Sequence, residues 1–156
     1  MAPLEKPLIS NFDFFQGRWE VTNRRLLERN VGCEQWDEFP ATSVAHSFFD
    51  GDGNFDEITF TTRGWSGATV RLFDQQRQEW TLSWISSASG VLTTPMRGVF
   101  ADGVGAFFAD DHDGDTPVRS RFLWTSSSPT TCRWEQAFSY DDERTWETNW
   151  TMDFER

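Results

Sequence analysis

Asn11-Phe12-Asp13-Phe14-Phe15-Gln16-Gly17-Arg18-Trp19-Glu20-Val21 begins as a helix and ends as a strand. Ser10 or Asn11 can cap the short helix, Asp13 sits in its first turn, and Gly17 can end it. Beyond Gly17 apolar and polar residues alternate with a period of two, so each segment has one face to bury. Strands are expected at Arg18–Glu28, with Trp19, Val21 and Leu27 on one face, and at Gln35–Phe49, bent at Pro40. Asn54–Thr62, Ala68–Phe73 and Glu79–Ile85 follow, then Pro95–Ala101, Val104–Ala109, Val118–Thr125, Thr131–Ser139 and Arg144–Phe154.

Short connections make these strands a meander, and a meander of this length hides its edges by closing into a barrel or folding into a sandwich, with the barrel preferred. The expected fold is therefore all-β: a single antiparallel up-and-down barrel of about 8–10 strands with a short N-terminal helix. No linker or repeat divides the 156 residues, so one domain over 1–156 is expected, large enough to bury a core without disulfides. Cys33 and Cys132 fit no metal-binding spacing and are read as free thiols.

Three hairpins can be read residue by residue. Asp102-Gly103 suits a two-residue turn that pairs Ala101 with Val104, Phe100 with Gly105 and Phe107 with Gly98. Each ring could then cover a strand glycine, or the glycines could mark bends. Asp50-Gly51-Asp52-Gly53-Asn54 suits a three-residue loop with Asp50 opposite Asn54. That register puts Val44, His46 and Phe48 on one face with Asp56, Ile58 and Phe60. A four-residue loop placing Val44 and Phe48 opposite Thr59 and Phe55 gives a poorer apolar match. The third hairpin, Ser139-Tyr140-Asp141-Asp142-Glu143-Arg144-Thr145-Trp146, resembles the Asp-box turn of sialidases, Ser-x-Asp-x-Gly-x-Thr-Trp. Glu143 stands where that motif has glycine, and the resemblance implies a structural role.

The helix, Gly17-Arg18-Trp19 and the opening strand together resemble the N-terminal signature of the calycins, the lipocalins and their relatives. The closing stretch from Arg133 to Trp150 is similar to an uncharacterised bacterial family of lipocalin-like proteins. The resemblance implies that Trp19 plugs one end of the barrel while the other end admits an apolar ligand. Nitrobindins, the haem barrels of the superfamily, follow Gly-x-Trp with further glycines; Glu20, Val21 and Thr22 follow here. A haem iron would have His46 alone, because His112 reads as part of an exposed turn, so no cofactor is expected.

Composition narrows the function. The chain carries a net charge of −11, which disfavours nucleic acid and anionic membrane surfaces as partners. No apolar run has signal-peptide or membrane-span length, so a cytoplasmic protein is expected. The acidic clusters at Asp50–Asp56 and Asp110–Asp115 lack the glycine and glutamate of an EF-hand loop and read as turns, so no metal site is expected.

Nine tryptophans and fifteen phenylalanines exceed what an ordinary small core needs, which points to an aromatic-lined cavity. Trp80, Trp84, Trp124, Trp134 and Trp150 are the expected lining. Asn23 and Arg25 are candidate ligand contacts by strand parity with Trp19, with Arg25 alternatively at the open mouth. The leading reading is a protein that binds a small hydrophobic or aromatic molecule. A second is a barrel cyclase or isomerase using His46 and Asp56 as an acid–base pair, against a histidine merely satisfied near the rim. A third is an interaction module, homodimeric through tryptophans on an outer face.

Overall fold

A computed structural model describes residues 12–156, so the expected caps Ser10 and Asn11 lie outside the described residues. Phe12–Phe15 form one turn of 3-10 helix. Ten strands follow: β1 (Gly17–Leu26), β2 (Trp36–Phe48), β3 (Gly53–Phe60), β4 (Trp65–Asp74), β5 (Glu79–Ser86), β6 (Met96–Ala101), β7 (Val104–Asp113), β8 (Thr116–Ser128), β9 (Thr131–Ser139) and β10 (Glu147–Glu155). Each pairs antiparallel with its neighbours in sequence, and β1 pairs with β10, closing the barrel. The expected class and up-and-down order hold, and closure leaves no edge strand.

Alternation along the strands sorts residues between inside and outside. Trp19, Val21 and Asn23 of β1 are buried, while Arg18, Glu20, Thr22 and Arg24 between them face outward. On β3, Asn54, Asp56, Ile58 and Phe60 are buried and Phe55, Glu57 and Thr59 are exposed. A transmembrane barrel carries an apolar band where this one carries charges. No helix among the described residues is long and apolar enough to cross a membrane. Parity fails at the end of β1, where Leu26 is buried and Leu27 is exposed, because the strand stops at Leu26 and the chain leaves it as a loop.

The β6–β7 hairpin has the expected register, with Ala101 opposite Val104, Phe100 opposite Gly105 and Gly98 opposite Phe107. Asp102 and Gly103 both take positive φ, 53° and 79°, as a tight primed turn requires. Phe100 does cover Gly105: a Cβ there would lie 2.7 Å from the ring. Gly98 has a different cause. A Cβ would meet the Ala106 carbonyl oxygen at 1.8 Å, so the backbones themselves approach.

The β2–β3 register corrects the expected one. Phe48 pairs with Gly53, Ala45 with Asp56 and Val44 with Glu57, around a four-residue connection in which Phe49, Asp50 and Gly51 all have positive φ. The Phe48 ring lies on Gly53, where a Cβ would meet it at 2.2 Å. Relative to the expected pairing this is an odd shift, which turns Val44, His46 and Phe48 to the face opposite Asp56. Apolar matching misled because β2 turns the small residues Ala41, Ser43 and Ala45 inward, where Ser43 donates to Asp56.

The Ser139–Trp146 turn forms the side-chain network its resemblance implies. Ser139 Oγ donates to Asp141 and accepts from the Glu143 amide, while Asp141 accepts from the Thr145 amide and hydroxyl. Glu143 has φ 68°, so it holds in the left-handed region the place that glycine has in the motif. Trp146 does not join the inward face of β10; it packs outside on Phe108 and on the Arg121 guanidinium.

Candidate functional site

One end of the barrel is shut by aromatic packing. Phe12 and Phe15, from the 3-10 turn, are fully buried among Trp80, Phe100, Phe107 and Trp124. Trp19 stacks on Phe15, and its indole N–H donates to the Phe15 carbonyl at 2.9 Å. From below, the Arg156 guanidinium lies over the Trp19 ring and donates to the backbone carbonyls of Gln16 and Pro129. Tryptophan thus closes the barrel with its one polar atom satisfied, as burial demands.

Directly inside this plug lies a buried polar cluster. Arg71 of β4 donates from Nη2 to Asp56 Oδ1 at 2.6 Å and from Nη1 to Asn54 Oδ1 at 3.0 Å. Asp56 also accepts from Ser43 Oγ at 3.3 Å. Arg71 and Asp56 are only 3% and 5% exposed. The guanidinium carbon sits 5.2 Å from the ring centroids of both Phe12 and Phe15 and 5.3 Å from that of Trp124. Desolvation of such a pair is offset only when the remaining donors find partners. Arg71 Nε and Trp124 Nε1 find none among the described residues. Each buried donor left unmatched costs about 1–3 kcal/mol.

Above the cluster is a cavity of about 200 Å³. Its walls include Trp84, Trp124, Trp134, Trp150, Phe122 and Met152, with Asp56, Thr69, Arg71, Ser120 and Gln136 as polar points. An apolar cavity of about 150 Å³ is enough for benzene, so this one suits a one- or two-ring molecule. Toward the open end it is bounded by Thr93 and Thr94 of the β5–β6 connection and by Asp110 and Asp111 of β7. There β5 and β6 pair through only Trp80–Gly98, Thr81–Arg97 and Leu82–Met96, so the connection spans a gap in the wall.

Second contacts hold the tryptophans. Trp150 Nε1 donates to the buried Asn23 Oδ1 at 3.0 Å, and Trp134 meets Trp150 edge to face. Trp84 leans over Gly67 on β4, where a Cβ would lie 1.9 Å from the ring. Gln136 Nε2 donates to Asn149 Oδ1 at 2.8 Å beside the irregularity between Thr148 and Trp150.

Of the residues singled out in the sequence, Trp84, Trp124, Trp134, Trp150 and Asp56 bound the cavity. Trp80 does not: it is fully buried against Phe12 and Phe73, beneath the cavity floor. Asn23 stands behind Trp150 as its acceptor. Arg25 is exposed near the mouth, its guanidinium 4.5 Å from the Trp150 ring, and burial beside Arg29 lowers its pKa while Asp37 opposes the shift. His46 is exposed on the outer surface against Phe55, so the His46–Asp56 pair does not exist. His112 is exposed outside as well, opposite Pro117 of β8, so neither imidazole reaches the cavity.

Arg71 was missed altogether. Alternation of Thr69, Arg71 and Phe73 along β4 would have placed it inward, yet an arginine between Val70 and Leu72 reads as the solvent face of a strand. Gly67 was missed for want of any local turn signal. Comparison with protein-family models and with curated proteins finds no match for the chain.

Proposed function

We propose that this protein binds a small apolar or aromatic molecule inside the barrel. The observation that carries the reading is the enclosed cavity, walled by four indoles between a plugged end and an open one. Pockets of this kind, mostly apolar with a few polar groups to orient the guest, are those that hold small molecules. The barrel is compatible with a lipocalin-like, calycin fold, and we read the chain as a member of that superfamily on its Gly-x-Trp opening and its plugged end.

Titration with the neutral two-ring dye 1-aminonaphthalene, followed by tryptophan fluorescence, tests the reading. One saturable site, weakened by enlarging Ala109 to tryptophan within the cavity wall, is expected. Dye binding that does not saturate, or that ignores a filled cavity, overturns it.

The enzyme reading loses its acid–base pair, since His46 is on the far side of the wall and the Asp56 carboxylate is engaged by Arg71 and Ser43. The interaction reading keeps only half-buried tryptophans such as Trp146 outside the barrel; among the described residues the exposed large apolar side chains are phenylalanines and aliphatics such as Phe49 and Val31.

A further inference from the structure

The floor of the cavity is chemically one-sided. Arg71 and Trp124 both bound it, they lie against each other, and each keeps one N–H without an acceptor among the described residues. Guanidinium and indole nitrogens can only donate. A ligand atom that satisfies either of them must therefore be an acceptor. The charge of Arg71 is already matched by Asp56 at 2.6 Å. The other ionisable residues on the cavity wall, Asp110 and Asp111, are acids at its open end, in a chain of net charge −11. An anion entering there passes Arg25 beside Trp150 as well as these two acids, but finds no unmatched cation at the floor.

We propose that the cavity selects an uncharged ring compound bearing a carbonyl oxygen, seated with that oxygen toward Arg71 Nε and Trp124 Nε1. A ketone, lactone or amide provides such an acceptor; a carboxylate is the wrong charge and a plain hydrocarbon leaves both donors unmatched. Both donors are shielded from water, and a ligand oxygen reaches them only by displacing part of the Phe12–Trp124 packing. This rests on the binding function proposed above and specifies what that function selects.

Three bicyclic compounds of similar shape test it by calorimetry or ligand-observed NMR: indane, 1-indanone and indane-1-carboxylate. The ketone is expected to bind roughly tenfold or more tightly than the hydrocarbon, the scale of a hydrogen bond from a charged or buried donor. The carboxylate is expected to bind more weakly than the ketone. Trp124→Phe, checked for folding by circular dichroism, is expected to shrink the ketone-to-hydrocarbon ratio. If that variant fails to fold, the ratio in the native protein decides. Equal binding of ketone and hydrocarbon overturns the carbonyl assignment and leaves the binding function standing. Tightest binding of the carboxylate overturns the assignment through its charge argument. Failure of all three compounds to bind at millimolar concentration, together with failure of 1-aminonaphthalene, removes both.

Discussion

Asp56 and Arg71 form an ion pair inside the barrel, joined at 2.6 Å diagonally across β3 and β4, with Asn54 directly opposite Arg71. A charged pair there constrains everything built around it. Replacing Asp56 by alanine strands the guanidinium in an aromatic setting and is expected to cost about 3–5 kcal/mol. Replacing both partners by apolar residues, Asp56→Leu with Arg71→Met, should cost far less. Urea unfolding of the single and double variants checks the order; a single variant no less stable than the double would refute it.

Arg156 joins the last residue to the plug. It touches Trp19, Gln16 and Pro129, tying β10 to the 3-10 turn and to the β8–β9 connection. Charge-assisted bonds to carbonyls and a partly exposed cation–π contact suggest a loss of about 1–3 kcal/mol for Arg156→Ala. Thermal unfolding should register it as a lower Tm, with Trp19 emission shifted to the red in the folded variant.

Asn23 fixes one wall. Without its oxygen the Trp150 indole N–H has no acceptor, and Asn23→Ala should destabilise by about 1–3 kcal/mol. The same variant should weaken dye binding, because Trp150 is then free to turn within the cavity. Unchanged affinity would mean that Trp150 is held by Trp134, Phe60 and Arg25 without the hydrogen bond.

Gly67 lets Trp84 lie close to β4. Gly67→Ala should displace that ring, whose far edge is the nearest group, and change ligand affinity several-fold with a minor effect on stability. Calorimetric titration beside a melting curve separates the two effects.

Burial pushes the Cys132 thiol from its ordinary value of 9.0 up to about 12, with Asp153 adding to the shift and Arg156 and Arg71 opposing it. The folded state holds this proton more tightly than the unfolded state. Its contribution to stability is therefore complete below pH 9 and lost as pH rises toward 12. Cys132→Ala should flatten the alkaline decline in urea midpoint relative to the native protein. At pH 8 a thiol reagent should modify the partly exposed Cys33 quickly and Cys132 only on unfolding.

Much of the barrel was legible because strand periodicity is a local property. Trp19, Val21 and Asn23 alternate with charged neighbours, and Asp102-Gly103 has backbone requirements that two residues meet alone. The same local reading found Trp84, Trp124, Trp134 and Trp150, whose bulk and parity leave few places for them. It failed at the β2–β3 turn, where the register depends on Phe48 lying over Gly53 and on Ser43 and Ala45, not Val44 and His46, facing inward. It failed at Trp80, because the residues that bury it against the plug come from the far end of the fold.

Sequence by itself determined an all-β meander, a Gly-x-Trp opening and an aromatic excess, each set by neighbouring residues. Tertiary structure alone decided between barrel and sandwich, that Phe12 and Phe15 seal one end, and that an arginine indistinguishable in sequence from a surface residue lies at the cavity floor. The reason is physical. Burial of Arg71 is tolerable only with Asp56, Asn54 and the aromatic rings around it, and closure of the barrel is what gathers them.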